Sequence, residues 1–236
     1  MDFTLLEEHQ MLKDLVARFV DDELMPLEAN VLAREITGEA CRLPADEEAP
    51  LLEQCRELGL WGLDVPEEFG GADLPAVAMV GVNEEMARTI VPFDFPPDSP
   101  NLHMLMATCD ERQRKLYLDP YAKGEAHSAI AISEPGAGGD PQAMATTAVQ
   151  DGDDWIINGR KIWISRAARA DFIIVMAVTE KGKGAHGGIT AFVVEKDTPG
   201  MIIERAIPML AGHTTYELVF DDCRVSKSQG LGKMGY

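Results

Sequence analysis

The sequence is short of positive charge and of long apolar runs. Lys and Arg number 21 against 40 Asp and Glu, so the formal net charge is −19. This charge argues against a nucleic-acid partner, which would require a basic surface. The longest clean apolar run, Phe172–Val178, is far shorter than the roughly 20 residues of a transmembrane helix, so no membrane span is predicted. The acidic N-terminus is not typical of a signal or transit peptide, and we expect a soluble, cytoplasmic protein.

Cysteine is scarce, and the motifs of several enzyme classes are missing. The four cysteines are far apart and form no C-x-x-C pair, which is typical of thiols in a reducing compartment. No G-x-S-x-G segment is present, so acyl hydrolysis by a serine triad has no candidate nucleophile. The five histidines lack metal-binding spacing, and no metal site is predicted.

The period of the apolar residues changes near residue 125. Before this point they recur at helical intervals, as at Leu12 and Val16, and after it short β-rich segments alternate with turn residues. Because no helix is predicted between the strands, parallel βαβ units are excluded and an antiparallel sandwich or barrel is expected. The predicted fold class is α+β. We expect an all-α helical domain over 1–125 and a β domain over 126–226.

Three local patterns carry specific predictions. Thr4-x-x-Glu7 predicts a capping box at the start of the first helix. Asn158-Gly159, between two β-rich triplets, predicts a two-residue hairpin turn. Gly182-x-Gly-x-x-Gly187 matches a dinucleotide-binding pattern, but a strand rather than a helix is predicted after it, so we interpret it as a hairpin loop.

The segment Ala131–Asp140, AISEPGAGGD, is the first candidate for a ligand site. It follows a short apolar strand and contains three glycines. Glycines permit φ > 0 and a close backbone approach, so successive amides could form a concavity for a phosphate. The same glycines also suit an ordinary turn, and we expect them to serve both roles. Ser133 is either a turn residue that bonds its own backbone or a ligand contact.

The segment Lys161–Ser165, KIWIS, is the second candidate. Trp163 precedes Ser165 by two residues, which places both on one face of a strand. An indole beside a hydroxyl suits a flat heteroaromatic ring with polar edges, such as a flavin. A lone tryptophan on a strand is otherwise more often a core residue.

The two segments resemble the "sEPGAGSD" and "WIT" segments of the acyl-CoA dehydrogenases. Other stretches are similar to this family in the same order along the chain: Glu7–Pro26, Leu58–Gly71, Pro208–Gly212 and Leu218–Val225. The resemblance covers nearly the whole chain and implies the family's N-terminal helical domain and middle β domain.

The resemblance also implies FAD as the cofactor. The positions that correspond to FAD contacts are Ile130, Ile132, Ser133, Gly138, Gly139, Trp163, Ile164 and Ser165. Ser133 would bond the flavin ring edge, Trp163 would cover the ring, and Ser165 would keep the hydroxyl that the family's threonine offers to flavin N5.

Gly139 departs from the family pattern. The family carries a serine there that contacts cofactor and substrate phosphates, so Gly139 is also the predicted substrate-binding position. Loss of one such hydrogen bond would cost about 0.5–1.5 kcal/mol. Glu134 beside this turn is assigned a structural role, because the family's catalytic glutamate is elsewhere.

The implied reaction is the α,β-dehydrogenation of an acyl-CoA thioester, with hydride transfer to flavin N5 and electrons passed to an electron-transfer flavoprotein. In the family the catalytic glutamate and most of the subunit interface belong to a C-terminal helical domain. The resemblance implies that residues 227–236 begin the connection to that domain. We expect the domain itself to be absent from these 236 residues, so no catalytic residue is predicted here. The full-length protein is expected to form a homodimer or homotetramer.

Two alternatives stay open at this point. The same scaffold also serves flavin oxidases and monooxygenases, and fold alone does not separate these from dehydrogenases. The chain could also be a non-catalytic subunit that binds flavin or acyl-CoA and needs a partner chain to complete the site.

Overall fold

The computed structural model describes residues 4–37, 42–97, 99–184, 187–209 and 213–233. Its contacts divide the chain into two compact units, Met1–Asp98 with Met209–His213, and Ser99–Pro208 with Thr214–Tyr236. The helices after residue 98 therefore belong to the same unit as the strands. The boundary between the units lies near residue 98, whereas the apolar residues change from helical to strand spacing near residue 125. The domain limits at 125 and 226 remain predictions.

The first unit is helical around one apolar core. Its α-helices are α1 (Glu7–Phe19), α2 (Glu28–Thr37), α3 (Ala45–Glu57) and α4 (Ala76–Met86), with a π-helical turn at Val20–Leu24 and 3₁₀ turns at Met25–Leu27 and Glu67–Phe69. The rings of Phe19, Phe93 and Phe95 pack together at centroid distances of 5.5–6.1 Å. Leu6 is the N-cap of α1 and no side chain caps it, so the predicted capping box is wrong.

The second unit begins with short helices and continues as a sheet. The helices are α5 (Leu102–Thr108), α6 (Glu111–Gln113) and α7 (Asp119–Ala122), with a π-helical turn at Arg114–Leu118. The strands are β1 (Ser128–Ala131), β2 (Thr147–Asp151), β3 (Asp154–Ser165), β4 (Phe172–Val178), β5 (Ile189–Glu195), β6 (Met201–Pro208), β7 (Thr214–Ser226) and β8 (Gly230–Leu231). Further 3₁₀ turns lie at Pro141–Ala143 and Lys227–Gln229.

The sheet is mostly antiparallel, in the order β6-β7-β3-β2-β4-β5-β8, with β1 beside β4. The predicted α+β class is confirmed. The expectation of an antiparallel sheet is wrong for β1, which pairs with β4 in parallel from Ser128↔Phe172 to Ala131↔Val175. A parallel pair needs a long connection, and here the β2–β3 hairpin supplies it without a helix.

The strands of the second unit enclose an apolar core. Alternate residues of β3, β4, β5 and β7 point into it, as β-strand geometry requires. The buried set includes Ile157, Val175, Phe192, Leu218 and Phe220, each at most 2% exposed. The antiparallel pairing of β4 with β5 confirms the hairpin interpretation of the Gly182–Gly187 segment, whose residues 185–186 lie outside the described ranges.

The predicted hairpin turn at Asn158-Gly159 is wrong. Both residues lie inside β3, and the β2–β3 hairpin turns instead at Asp151–Asp154. A register shift against β7 follows Ile157. The Asn158 side chain donates to Asp222 Oδ1 at 3.0 Å and accepts from the Asp222 N–H at 2.8 Å. A dipeptide typical of a turn thus lies inside a strand, opposite a bulge whose extra residue belongs to β7, and its amide side chain finds partners there.

No helix in the described part of the chain is both long enough and apolar enough to cross a membrane.

Gly159 is required at this point of β3 because Thr146 approaches its Cα closely. Its φ is +152°, and a Cβ there would overlap Thr146. We therefore expect Gly159→Ala to lower the free energy of unfolding by about 1–3 kcal/mol through overpacking, measured by urea denaturation. Gly136→Ala is the control, because Gly136 has φ outside the left-handed region and a methyl group at its Cα would meet no neighbouring atom. An equal loss of unfolding free energy in the two variants would show that overlap with Thr146 is not the cause.

Candidate functional site

The first candidate segment leaves β1 and forms a tight turn. The Glu134 N–H donates to the Ala137 carbonyl at 2.8 Å, and the Ala137 N–H donates back to the Glu134 carbonyl at 3.2 Å. Ile132, just before this turn, is 40% exposed, and Ser133 is half-buried. The segment therefore places one apolar side chain at the surface immediately beside a hydroxyl.

The glycines of this turn do not use the conformational freedom that the residue type permits. Gly136, Gly138 and Gly139 all have φ outside the left-handed region. What the glycines provide is open space, because a Cβ at any of the three would meet no atom within 4 Å. A serine at position 139 would also fit, so packing does not impose the departure from the family pattern.

Left-handed backbone occurs instead at the second candidate segment. Trp163 has φ +63° and Arg166 has φ +66°. This conformation costs a bulky L-residue about 1–2 kcal/mol. A register shift against β7 lies between Lys161 and Ile164, so Trp163 belongs to a β-bulge, a feature that often redirects a side chain. Its side chain is 52% exposed.

The two segments are directly bonded to each other. The Ile162 N–H donates to the Ser133 carbonyl at 2.9 Å, and Lys161 Nζ donates to the Ile132 carbonyl at 3.0 Å. Ile132 and Ser133 consequently lie beside the strand that carries Trp163. The structure thus brings together most of the residues that the sequence singled out.

Not every predicted site residue offers its side chain. Ile164 is 2% exposed and packs in the core of the second unit, so its side chain is not offered to a ligand. Ile130 and Ser165 are half-buried, whereas Gly138 and Gly139 are exposed.

Sequence reasoning missed a buried ion pair beneath these segments. Lys161 Nζ and Glu134 Oε1 are 2.8 Å apart, and the two side chains are 0% and 5% exposed. Glu134 also accepts from the Ala145 N–H at 2.6 Å and from the Thr146 N–H at 3.0 Å. These contacts give Glu134 a structural role, as the sequence analysis assigned. The signal for the pair was a lysine in a strand otherwise rich in apolar residues.

The pKa values of the pair reflect burial and mutual contact. Burial by itself raises the pKa of Glu134, but the hydrogen bonds from Lys161, Thr146 and Ala145 outweigh it and hold the pKa below the ordinary value. Burial lowers the pKa of Lys161, and the neighbouring Glu134 offsets part of this. The hydrogen-bond geometry is that of an ammonium donating to a carboxylate.

Metal-binding and thiol chemistry find no support near the candidate site. Within the described ranges, no group of three or more His, Cys, Asp or Glu side chains could hold a metal ion. Cys55 and Cys223 are buried, and burial raises the pKa of their thiols to about 12 and about 11. These two thiols are therefore poor nucleophiles in the folded chain.

Removal of one partner of the ion pair should be costly. Lys161→Met leaves the Glu134 carboxylate buried without its counter-ion, and we expect the free energy of unfolding to fall by about 3–5 kcal/mol. The double variant Glu134→Gln/Lys161→Met removes both charges and should lose less than half as much. Urea denaturation of both variants tests this, and equal losses would show that the charge imbalance is not the cause.

The contribution of Glu134 to stability should disappear in acid. Its folded-state pKa lies below the ordinary value of 4.5, so its contribution is complete above that pH and is lost as pH falls through the folded-state pKa. The difference in unfolding free energy between the wild type and the neutral double variant should be constant from about pH 7 to 5 and shrink below 4.5. A difference that stays constant down to pH 3 would be the opposing result.

The comparisons with known proteins agree with this geometry. The family model of the acyl-CoA dehydrogenase N-terminal domain matches residues 6–125, and that of the acyl-CoA dehydrogenase middle domain matches residues 129–223. The chain is 40% identical to (R)-benzylsuccinyl-CoA dehydrogenase of Thauera aromatica over 244 aligned positions, which cover 100% of this chain and 60% of that protein.

Solved structures agree as well. Butyryl-CoA dehydrogenase from Megasphaera elsdenii matches with a TM-score of 0.80 and 30% identity over 100% of this chain and 61% of its own. An FAD complex of PigA matches with a TM-score of 0.78 and 26% identity over 100% of this chain and 60% of its own. The chain thus spans about 60% of the length of these relatives. With both domain models matched in order along the chain, the protein belongs to the acyl-CoA dehydrogenase family.

Proposed function

We propose that this chain forms the flavin-facing N-terminal and middle part of an FAD-dependent acyl-CoA dehydrogenase. The observation that carries the proposal is the hydrogen bond from the Ile162 N–H to the Ser133 carbonyl. It joins the glycine-rich turn to the strand that carries Trp163. An exposed indole, an exposed aliphatic side chain and a hydroxyl thereby lie on adjacent segments, in keeping with the resemblance.

The residues present fit a flavin ring. Trp163, half-exposed on its bulge, and Ile132 offer apolar surface for a planar heteroaromatic group. Ser133 and Ser165 would supply hydroxyls to its polar edge. Ile130 and the backbone of Ile164 would complete the contacts. FAD, when bound, would supply the acceptor for the substrate hydride, and these residues would orient the ring and exclude water from one side.

Gly138 and Gly139 would contact the phosphate groups of the cofactor through their backbone. Both residues are exposed, and the open space around them allows a ligand to approach the backbone closely. Gly139 is also the proposed contact to the substrate phosphate. Because it lacks the hydroxyl of the family's serine, binding there would depend on backbone amides.

The proposed reaction is α,β-dehydrogenation of an acyl-CoA, with an electron-transfer flavoprotein as the electron acceptor. Glu134 is not suited to act as the base, because both of its carboxylate oxygens accept hydrogen bonds and its charge is paired with Lys161. We propose that the base lies in the part of the relatives' length outside the match. The 40% identity to a benzylsuccinyl-CoA dehydrogenase makes aromatic and branched acyl-CoA thioesters the first substrates to test.

Trp163 should contribute directly to FAD affinity. The loss of an aromatic stacking partner costs about 0.5–1.5 kcal/mol, so we expect Trp163→Leu to weaken FAD binding by about two- to tenfold. Equilibrium titration of the 236-residue chain, followed by flavin fluorescence, provides the measurement. Trp61→Leu is the control, because Trp61 lies in the first unit beneath the Arg56 guanidinium. Failure of the wild-type chain to bind FAD, or equal weakening by both variants, would oppose the proposal.

Because the proposed base lies outside these 236 residues, activity is tested on the FAD-loaded natural gene product by anaerobic addition of acyl-CoA thioesters. Bleaching of bound flavin, with electrons recovered by an artificial acceptor, would support a dehydrogenase. Oxygen consumption without transfer to the acceptor would instead favour a flavin oxidase or monooxygenase. FAD binding without bleaching by any thioester would indicate a binding subunit that needs a partner chain.

A further inference from the structure

The buried pair of Lys161 and Glu134 is not explained by stability. Removing two charges from water costs several kcal/mol per ion, and well-packed apolar residues often replace such a pair without loss. The best-attested advantage of a buried polar pair is that it fixes one conformation. The location of this pair therefore indicates which conformation is being fixed.

Lys161 connects the two candidate segments at consecutive positions. Its ammonium donates to the Ile132 carbonyl at 3.0 Å, and the next residue, Ile162, donates its N–H to the Ser133 carbonyl at 2.9 Å. The residue after Ile162 is Trp163. A lysine ammonium has three donors and can satisfy a carbonyl and a carboxylate together, which an apolar side chain of the same length cannot do.

Glu134 connects Lys161 to the residues that follow the glycine-rich turn. One carboxylate oxygen accepts from the Ala145 N–H and the other from both the Thr146 N–H and Lys161. The beginning and the end of the segment from 132 to 146 are thereby tied to one ammonium. Gly138 and Gly139 lie within this segment, where their surroundings are open.

We propose that Lys161 is a positioning residue that holds the glycine-rich turn and Trp163 in the relative arrangement that FAD requires. The inference rests on the proposed function and deepens it. Lys161 itself is 0% exposed and does not touch the cofactor. It acts through the Ile132 carbonyl and through Glu134. Since a binding site that is not preorganised must be ordered when the ligand binds, at a cost in affinity, the loss of these contacts should be evident in the FAD affinity.

The experiment compares FAD binding at a temperature where each variant is folded. Glu134→Gln/Lys161→Met removes both charges with little change in volume. The matched control is Asp154→Asn/Arg224→Met, which removes an exposed ion pair of the same unit, 3.0 Å between its closest atoms. We expect the first variant to bind FAD about two- to tenfold more weakly than the wild type, and the control to bind like the wild type.

A folded Glu134→Gln/Lys161→Met variant with wild-type affinity would overturn the inference. If that variant does not fold, the FAD affinity of Lys161→Gln, whose uncharged side-chain amide keeps two N–H donors, is judged by the same criterion. Failure of both to fold would also overturn it, because the pair would then be required for the fold itself rather than for positioning.

A second measurement needs no cofactor. The chain contains three tryptophans, and 5-fluorotryptophan labelling gives each a ¹⁹F resonance. In the Glu134→Gln/Lys161→Met variant, the chemical shift of the Trp163 resonance should change while that of Trp61 should not. If the wild-type chain does not bind FAD, the proposed function fails, and this spectrum alone decides whether Lys161 positions Trp163. An unchanged Trp163 resonance would then refute the positioning role.

Discussion

The candidate site depends on one buried contact, the ion pair between Lys161 and Glu134. An ammonium enclosed by protein must have hydrogen-bond acceptors, and here the acceptors are the Ile132 carbonyl and a carboxylate that itself binds two backbone amides. This requirement constrains the backbone at both ends of the glycine-rich turn. The turn therefore has a defined shape although its glycines would tolerate many others.

The second constraint is the irregularity of β3. Regular pleating would alternate buried and exposed residues without interruption, whereas β3 shifts its register against β7 at two places, after Ile157 and after Lys161. At the first, Gly159 avoids Thr146. At the second, Trp163 has a left-handed backbone and an exposed indole. Such strain is often found at ligand sites, where the surrounding structure maintains it.

The charge of the chain is compatible with an anionic cofactor and substrate. A net charge of −19 would repel a phosphate at long range, but the field close to a site depends on local groups. The exposed backbone at Gly138 and Gly139 contributes amide dipoles, although the exposed carboxylate of Asp140 follows directly. The charge of Glu134, at the start of the turn, is neutralised by Lys161, so the proposed phosphate contacts do not face an unpaired negative charge from it.

The sequence by itself determined the α+β class, the order of helices before strands, the family and the two segments of the candidate site. Apolar periodicity and short motifs are local properties of the chain, and they survive in the sequence without knowledge of distant contacts. Tertiary structure alone decided the parallel pairing of β1, the bulge in place of a hairpin at Asn158-Gly159, and the left-handed backbone at Trp163 rather than in the glycine-rich turn. Each of these depends on a partner far away in sequence, namely β4, Asp222 with Thr146, and β7. The ion pair of Glu134 and Lys161 follows the same rule, because only folding brings its two residues into one buried space.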